Sequence, residues 1–308
     1  MRILFWGTPD FALPSLRALL GEGHEVVGVV TQPDRPAGRG RVLRASPVKE
    51  LALEEGLPVL QPERPRGEDF ERDVRRLAPE LSVVVAYGQI LRREILELPP
   101  RGSVNVHASL LPELRGAAPI NWAIIRGHEE TGVTIMRMVE EMDAGPILLQ
   151  VREPIGPDET ASELWSRLSE IGAEALVEAL ALMEAGELEP CEQEHERATY
   201  APRLTHEDER IDWSRPAPEV ARTIRGLDRV PGGWTTVHGQ ELKVFRPVPR
   251  PELVHDRPSG WVMDVRPDDP EEGMLIACGE GAVCIREVQP AGKRRMTTAE
   301  WARGRGIA

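Results

Sequence analysis

The chain is 308 residues long, 41% hydrophobic and 29% charged, enough to bury an ample core and to form two domains. Its three cysteines, Cys191, Cys278 and Cys284, are an odd number without CxxC spacing, which argues against a disulfide framework or a zinc site; a reducing cytoplasm and no metal are expected. The formal net charge of −13 weighs against a nucleic-acid partner unless basic residues gather locally, and no apolar run approaches the length of a membrane span.

Arg2 to Trp6 reads as an apolar strand, too short and too quickly interrupted for a secretion signal. Gly7-Thr8-Pro9-Asp10 then turns into a helical pattern over Phe11 to Leu20, closed by Gly21 and Gly23, and His24 to Thr31 is a second buried strand. This opening predicts a Rossmann-like, doubly wound α/β domain. No GxGxxG follows the first strand, so a dinucleotide oxidoreductase is a poor reading.

Gln32 to Lys49 breaks the α/β rhythm with Pro and Gly, and sets Arg35, Arg39, Arg41, Arg44 and Lys49 against Asp34 alone. It reads as a basic, mobile loop on an acidic chain, either a solvated surface loop or an arm for phosphate contact. Pro47 to Glu55 and Phe70 to Ala78 predict helices, with a short strand at Pro58 to Leu60 between them. Leu81 to Ala86 is a central strand that runs into Tyr87-Gly88-Gln89-Ile90-Leu91, where Gly88 lets the backbone turn. Open α/β sheets bind ligands at such carboxyl ends.

Ser103 to Val106 is a short strand, and i, i+2 spacing points Asn105 and His107 the same way. Thr131 to Val139 is a second strand; its loop ends in Met142-Asp143-Ala144-Gly145-Pro146, whose Gly-Pro step turns Asp143 toward the pair. An amide donor, an imidazole and a carboxylate suit acyl transfer to an amine: the amide steadies the developing oxyanion and the other two handle the proton. Taken singly, an Asn or a His is as well read as a hydrogen-bonded structural residue. The combination favours catalysis.

Ile147 to Val151 predicts a strand, and Thr160 to Ala185 a long helix with Leu164, Trp165, Leu168, Ile171, Leu176, Leu180 and Met183 on a packing stripe. Residues 186–205 lack periodicity; 190–205 read as a linker between a domain at 1–189 and another at 206–308. The second holds short strands at Trp234 to Val237, Leu242 to Arg246, Gly260 to Val265, Met274 to Ala277 and Ala282 to Glu287, which predict a small β-barrel. Lys293, Arg294 and Arg295 form a second basic cluster.

Three stretches resemble the folate-dependent formyltransferases: Asn105-x-His107-x-Ser109-Leu110-Leu111-Pro112, Arg115-Gly116-Ala117-Ala118-Pro119-Ile120 and Glu130-Thr131-Gly132-Val133-Thr134. TQPDRPAGRG with SPVK, Ile211-Asp212-Trp213, Ile224-Arg225-Gly226 and Gln289 to Met296 look most like the members that act on methionyl initiator tRNA. The resemblance implies a catalytic set of Asn105, His107 and Asp143, and 10-formyltetrahydrofolate as formyl donor. It implies a folate site built by the turn Ser109, Leu110, Leu111 and Pro112, with backbone groups from Tyr87, Gly88, Gln89, Ile90 and Leu91 and from Val139, Glu140, Glu141 and Met142. It also implies that the barrel of the second domain is OB-like and helps hold tRNA, with tRNA contacts from both basic clusters and Arg39 the most important. One departure is that an Asn-Pro-Trp-Pro often seen before the first strand pair of the second domain is Asp228-Arg229-Val230-Pro231 here.

Two other readings remain open. A sugar-nucleotide amine formyltransferase shares the Asn, His and Asp set but has no need of the basic arm. A non-catalytic RNA-binding protein has no need of all three residues at these spacings. Nothing in the sequence suggests more than a monomer.

Overall fold

A computed structural model describes residues 1–37, 42–265 and 273–303. The chain divides into two compact units, the first made of Met1–Pro119, Glu130–Pro154 and Trp165–Pro202, the second of Ile120–Glu129, Ile155–Leu164 and Arg203–Ala308. No helix among the described residues is long and apolar enough to cross a membrane.

In chain order the elements are β1 (Arg2–Gly7), α1 (Leu13–Gly21), β2 (Glu25–Val30), β3 (Arg35–Ala37), β4 (Val42–Arg44), α2 (Pro47–Glu54), β5 (Val59–Leu60), α3 (Glu68–Leu77), β6 (Leu81–Val85), α4 (Arg93–Leu96) and β7 (Ser103–His107). After α5 (Pro119–Ile125) come β8 (Glu130–Arg137), β9 (Ile147–Pro154) and α6 (Ala161–Ala185). The main sheet of the described residues has seven strands in the order β5-β2-β1-β6-β7-β8-β9. Pairing is parallel from β5 to β7 and antiparallel from β7 to β9.

From β1 the chain moves outward through β2 to β5, then returns to the other side of β1 as β6 and β7. Right-handed crossovers then place helices on both faces. Leu4 and Trp6, which share a face of β1, pack with Val74 of α3 and with Ile95 and Leu96 of α4, leaving the opposite face to α1 and α2. The sheet is therefore doubly wound, and its strand order reverses between β1 and β6. Local sequence explains the helix starts: Ser46 caps α2 by accepting from Lys49 N at 3.1 Å, with Pro47 at the first helical position. Acidic Glu68, Asp69 and Glu71 open α3 and basic Arg75 and Arg76 close it, in the sense that suits the helix dipole.

The second unit continues with α7 (Ala217–Leu227), β10 (Trp234–Val237), β11 (Gln240–Arg250), β12 (Val262–Val265), β13 (Met274–Ala277), β14 (Ala282–Pro290), β15 (Met296–Thr297) and α8 (Thr298–Arg303). Its strands form an antiparallel sheet in the order β10-β11-β14-β13-β12, with β15 paired to β14. The core joins Val220, Ile224 and Leu227 of α7 to Val244, Ile276 and Ile285 of the sheet and Trp301 of α8.

Two stretches differ from the sequence reading. The segment read as a mobile loop holds a two-stranded ladder, with Arg35 opposite Arg44 and Pro36 opposite Leu43. The segment read as a linker is in large part integral to the first unit. Cys191 and Ile147 exchange backbone hydrogen bonds, Arg115 N donates to Thr199 O, and Ala201 N donates to Arg115 O.

Candidate active site

The carboxyl ends of β1, β2 and β6 are tied together at one carbonyl. Thr8 Oγ1 and Gln32 Nε2 both donate to Tyr87 O, at 3.0 and 2.8 Å. The Tyr87 ring points into the core, edge-on to Trp6 with centroids 5.3 Å apart, and burial pushes its phenol up to about 12. Of the five residues expected at the folate, Tyr87 and Leu91 are thus core side chains, whereas Gly88 and Ile90 are exposed and Gln89 is half-buried. Gly88 is favoured by its φ of +86°, and a Cβ there would also displace Gln32 Nε2, 2.5 Å away, from its hydrogen bond to Tyr87 O.

β7 lies next to β6 and delivers Asn105 and His107 at the same edge. The Asn105 side chain is half-buried and has no hydrogen-bond partner among the described residues, so its amide is free to donate. His107 is buried, and its Nε2 donates to Leu114 O at 3.1 Å. A carbonyl can only accept, so Nε2 carries the proton and, in the neutral ring, Nδ1 keeps its lone pair. That Nδ1 lies 3.7 Å from Asp143 Oδ2.

The turn after β7 is clamped by β8 and β9. Thr134 Oγ1 donates to Ser109 O at 2.6 Å and accepts from Leu111 N at 3.1 Å. Gln150 Nε2 donates to Leu111 O at 2.8 Å and to Thr134 Oγ1 at 2.9 Å. Ser109 and Leu111 are buried by this clamp, while Leu110 and Pro112 are half-buried. Beyond the end of β8, Val139, Glu140, Glu141 and Met142 are all exposed. Asp143 follows with φ +51°, a left-handed conformation that a non-glycine residue keeps only when its surroundings hold it there.

Those surroundings are specific. Gly116 N donates to Asp143 Oδ2 at 2.8 Å. Gln193 Nε2 donates to Asp143 O at 2.9 Å and to Gly145 O at 2.7 Å. Gln193 Oε1 accepts from Arg115 Nε at 3.2 Å and Nη2 at 2.7 Å; Nη2 also donates to His195 Nδ1 at 2.9 Å. Gln193, the Arg115 side chain, Thr134 and Gln150 carry no local sequence signal for a site, and the sequence reading missed all four. Only the resemblance of the Arg115 to Ile120 and Glu130 to Thr134 stretches pointed near them.

The basic residues behave unequally. Arg44 is exposed, and Arg35 is exposed with its guanidinium donating to Gln32 Oε1 at 2.9 Å. Lys49 is engaged with Asp34 at 2.7 Å, and hydrogen bonds from Lys49 and Gln61 hold that carboxyl below its ordinary range. Arg39 and Arg41 lie outside the described residues. In the second unit Lys293 and Arg294 are exposed. Arg295 instead turns inward: it reaches Asp228 at 3.3 Å, pairs with Glu287, and sits 4.1 Å from the Phe245 ring centroid. Burial raises the Asp228 carboxyl above its ordinary value, and Arg295 opposes that rise.

No group of three or more His, Cys, Asp or Glu among the described residues is placed to hold a metal. Residues 1–180 match the formyl transferase family, and residues 203–306 match the formyl transferase C-terminal domain. The methionyl-tRNA formyltransferase of Symbiobacterium thermophilum is 52% identical over 100% of this chain and 93% of its own. Two solved structures share the fold. The methionyl-tRNA formyltransferase from Clostridium thermocellum has a TM-score of 0.59 at 18% identity, over 80% of this chain and 93% of that one. HypX from Aquifex aeolicus, in complex with tetrahydrofolic acid, has a TM-score of 0.68 at 22% identity over 98% of this chain; the chain spans 47% of HypX. Matched in both domains, and along nearly the full length of a relative with which it shares half its residues, this chain belongs to the methionyl-tRNA formyltransferase family.

Proposed function

We propose that this chain transfers the formyl group of 10-formyltetrahydrofolate to the α-amino group of methionine carried on initiator tRNA. One observation carries the reading: His107 Nδ1 lies 3.7 Å from Asp143 Oδ2, with Asn105 two residues before His107 on β7 and its amide without a hydrogen-bond partner among the described residues, in a chain of this family.

The amine must attack in its neutral form. Free α-amines titrate at about 7.7–8.0, so a modest proton acceptor suffices near neutral pH. As the new nitrogen–carbon bond forms, the formyl oxygen becomes an oxyanion, and Asn105 Nδ2 is the donor available to it. His107 Nδ1 and Asp143 Oδ2 are two acceptors facing each other across 3.7 Å, an arrangement that selects an N–H donor such as the attacking amine. A proton taken by His107 there faces the Asp143 carboxylate, which stabilises the imidazolium. Collapse of the tetrahedral adduct breaks the bond to the folate nitrogen, and the proton is returned to that nitrogen.

The folate is held by the clamped turn from Ser109 to Pro112 and by the exposed edges Gly88 to Ile90 and Val139 to Met142. The tRNA backbone is met by Arg35, Arg44 and the neighbouring Arg39 and Arg41, and by Lys293 and Arg294. Lys49 and Arg295 contribute less because each is largely buried in its pair with a carboxylate, whereas the pair of Arg294 with Glu300 lies open to solvent. The enzyme acts as a monomer in the cytoplasm.

The test is formyl transfer from 10-formyltetrahydrofolate to methionyl initiator tRNA, with methionyl elongator tRNA alongside and the mass gain of the aminoacyl group as readout. Formylation of the initiator with discrimination against the elongator is expected. Folate binding without transfer to either tRNA overturns the reading in favour of a small amine acceptor such as a sugar nucleotide.

A further inference from the structure

Gln193 sits in a stretch without periodicity or motif, yet it is 5% exposed and divides its side-chain hydrogen bonds between the loop that carries Asp143 and Arg115. Its two amide hydrogens go to Asp143 O at 2.9 Å and Gly145 O at 2.7 Å. Its oxygen takes two donors from Arg115, itself 2% exposed. The next residue along the chain, Gly116, donates its N–H to the Asp143 carboxylate at 2.8 Å. The contacts close into a ring, from the Asp143 carboxylate to Gly116, through Arg115 to Gln193, and back to the Asp143 carbonyl.

Asp143 is therefore gripped at both ends, at a backbone conformation it would not keep unaided. Gly116 has φ +122°, and a Cβ there would come within 2.6 Å of Ala201 O, so the same segment that supplies Gln193 also closes on this corner of the ring. Only an amide side chain meets the demand. It needs two donors on one atom facing two carbonyls, and an acceptor on the other facing a guanidinium.

We infer that Gln193 is a positioning residue for the transfer reaction, acting through Asp143 to fix its carboxylate against His107 Nδ1. The inference rests on the catalytic set proposed above. Gln193→Glu separates positioning from packing. The glutamate keeps the size and strengthens the attraction to buried Arg115, but it presents an acceptor to the carbonyls of Asp143 and Gly145 where two donors are needed. A displaced catalytic group loses rate steeply, by about 10²-fold for a shift near 1 Å.

The experiment measures kcat, the KM for each substrate and thermal unfolding for the wild type, Gln193→Glu, Gln193→Met, Asp143→Asn and the double variant Gln193→Glu/Asp143→Asn. The expected result is that Gln193→Glu unfolds near the wild-type temperature and keeps both KM values, while kcat falls by about 10²-fold. The double variant should be no slower than Asp143→Asn alone, since a positioning residue has nothing left to position. If Gln193→Glu does not fold, Gln193→Met, of similar length and without donors, carries the same expectation against Asp143→Asn. Wild-type kcat in whichever variant folds, or losses that multiply in the double variant, overturns the inference. Wild-type kcat in Asp143→Asn instead overturns the catalytic reading on which it rests, so the two failures are told apart.

Discussion

The loop around Asp143 and the two basic regions show opposite uses of polar side chains. At Asp143 the donors and acceptors are matched inside the protein: Gly116, Gln193 and Arg115 hold one another at 2.7 to 3.2 Å. On the β3–β4 ladder and at the turn before β15, Arg44 and Lys293 are exposed without an ion pair among the described residues, and Arg294, also exposed, lies 3.6 Å from Glu300 at the surface. Group transfer needs an acid/base set held to a fraction of an ångström, which only a saturated network provides. Phosphate contact needs charge left open to solvent, because a cation held in a largely buried pair with a carboxylate has little to release counterions with. Arg295 and Lys49 mark the boundary: they are basic in sequence and structural in place.

The sharpest way to break this contrast is at the uncommitted donor. Asn105→Ala should lower kcat by about 10²–10³-fold, as loss of an oxyanion donor does, with unfolding unchanged because its amide bonds nothing in the described protein. Turnover near wild type would return Asn105 to the structural class. Asp143→Asn should cost about 10²-fold or more in kcat, the size of a lost acid/base group. Steady-state kinetics with limiting tRNA reads both.

Next comes stability in the second unit. Arg295→Ala leaves the Asp228 carboxylate buried without its cation, and should cost roughly 3 kcal/mol in urea unfolding, at the low end for a broken buried pair because Arg295 is partly exposed. Arg294→Ala should stay within about 0.5 kcal/mol. Equal losses would erase the distinction between the two neighbours. Smaller again is the tRNA term: Arg44→Ala should leave kcat alone and lower the slope of log affinity against log salt by roughly 0.7–0.9, one phosphate contact. An unaltered slope would make the ladder a plain surface feature.

The smallest effect is a pH dependence. The Asp228 carboxyl is raised by burial in the folded chain, so between its ordinary value and the raised one the folded state binds more protons than the unfolded state. Its own contribution therefore favours folding as pH falls through that window, against the direction of carboxyls that folding lowers, such as Asp208 and Asp212. Subtracting the unfolding curve of Asp228→Asn from that of the wild type should isolate this term with that sign.

Much of this was legible in the chain. The apolar run of β6, the i, i+2 pair on β7 and the Gly-Pro step after Asp143 are local signals: the strands form there, and Asp143 comes within 3.7 Å of His107. The Pro47 and Ala161 helices were found nearly to their ends, because caps and apolar stripes are also local. What escaped was set by distant partners. Gln193 bonds residues 48 and 50 positions upstream, and its neighbours are charged and exposed, so no periodicity marks it. The β3–β4 ladder escaped because proline and glycine in so short a stretch read as loop. Tyr87 was placed correctly in the chain, but its ring belongs to the core and its carbonyl to Thr8 and Gln32.

The interleaving of the two units has a consequence for the order in which the protein can assemble during synthesis. Ile120–Glu129 and Ile155–Leu164 leave the ribosome early, yet the unit they belong to is completed only by Arg203 onward. Ile125, which packs against the core of that unit, must wait for it. Gln193 also emerges after Asn105, His107 and Asp143, so the proposed catalytic set exists before the group that holds one of its members does. Domains tend to fold as they emerge. Here maturation of the first unit is timed by the stretch that leads into the second, and arrested chains ending at residues 189 and 202 should differ in protease resistance around Asp143.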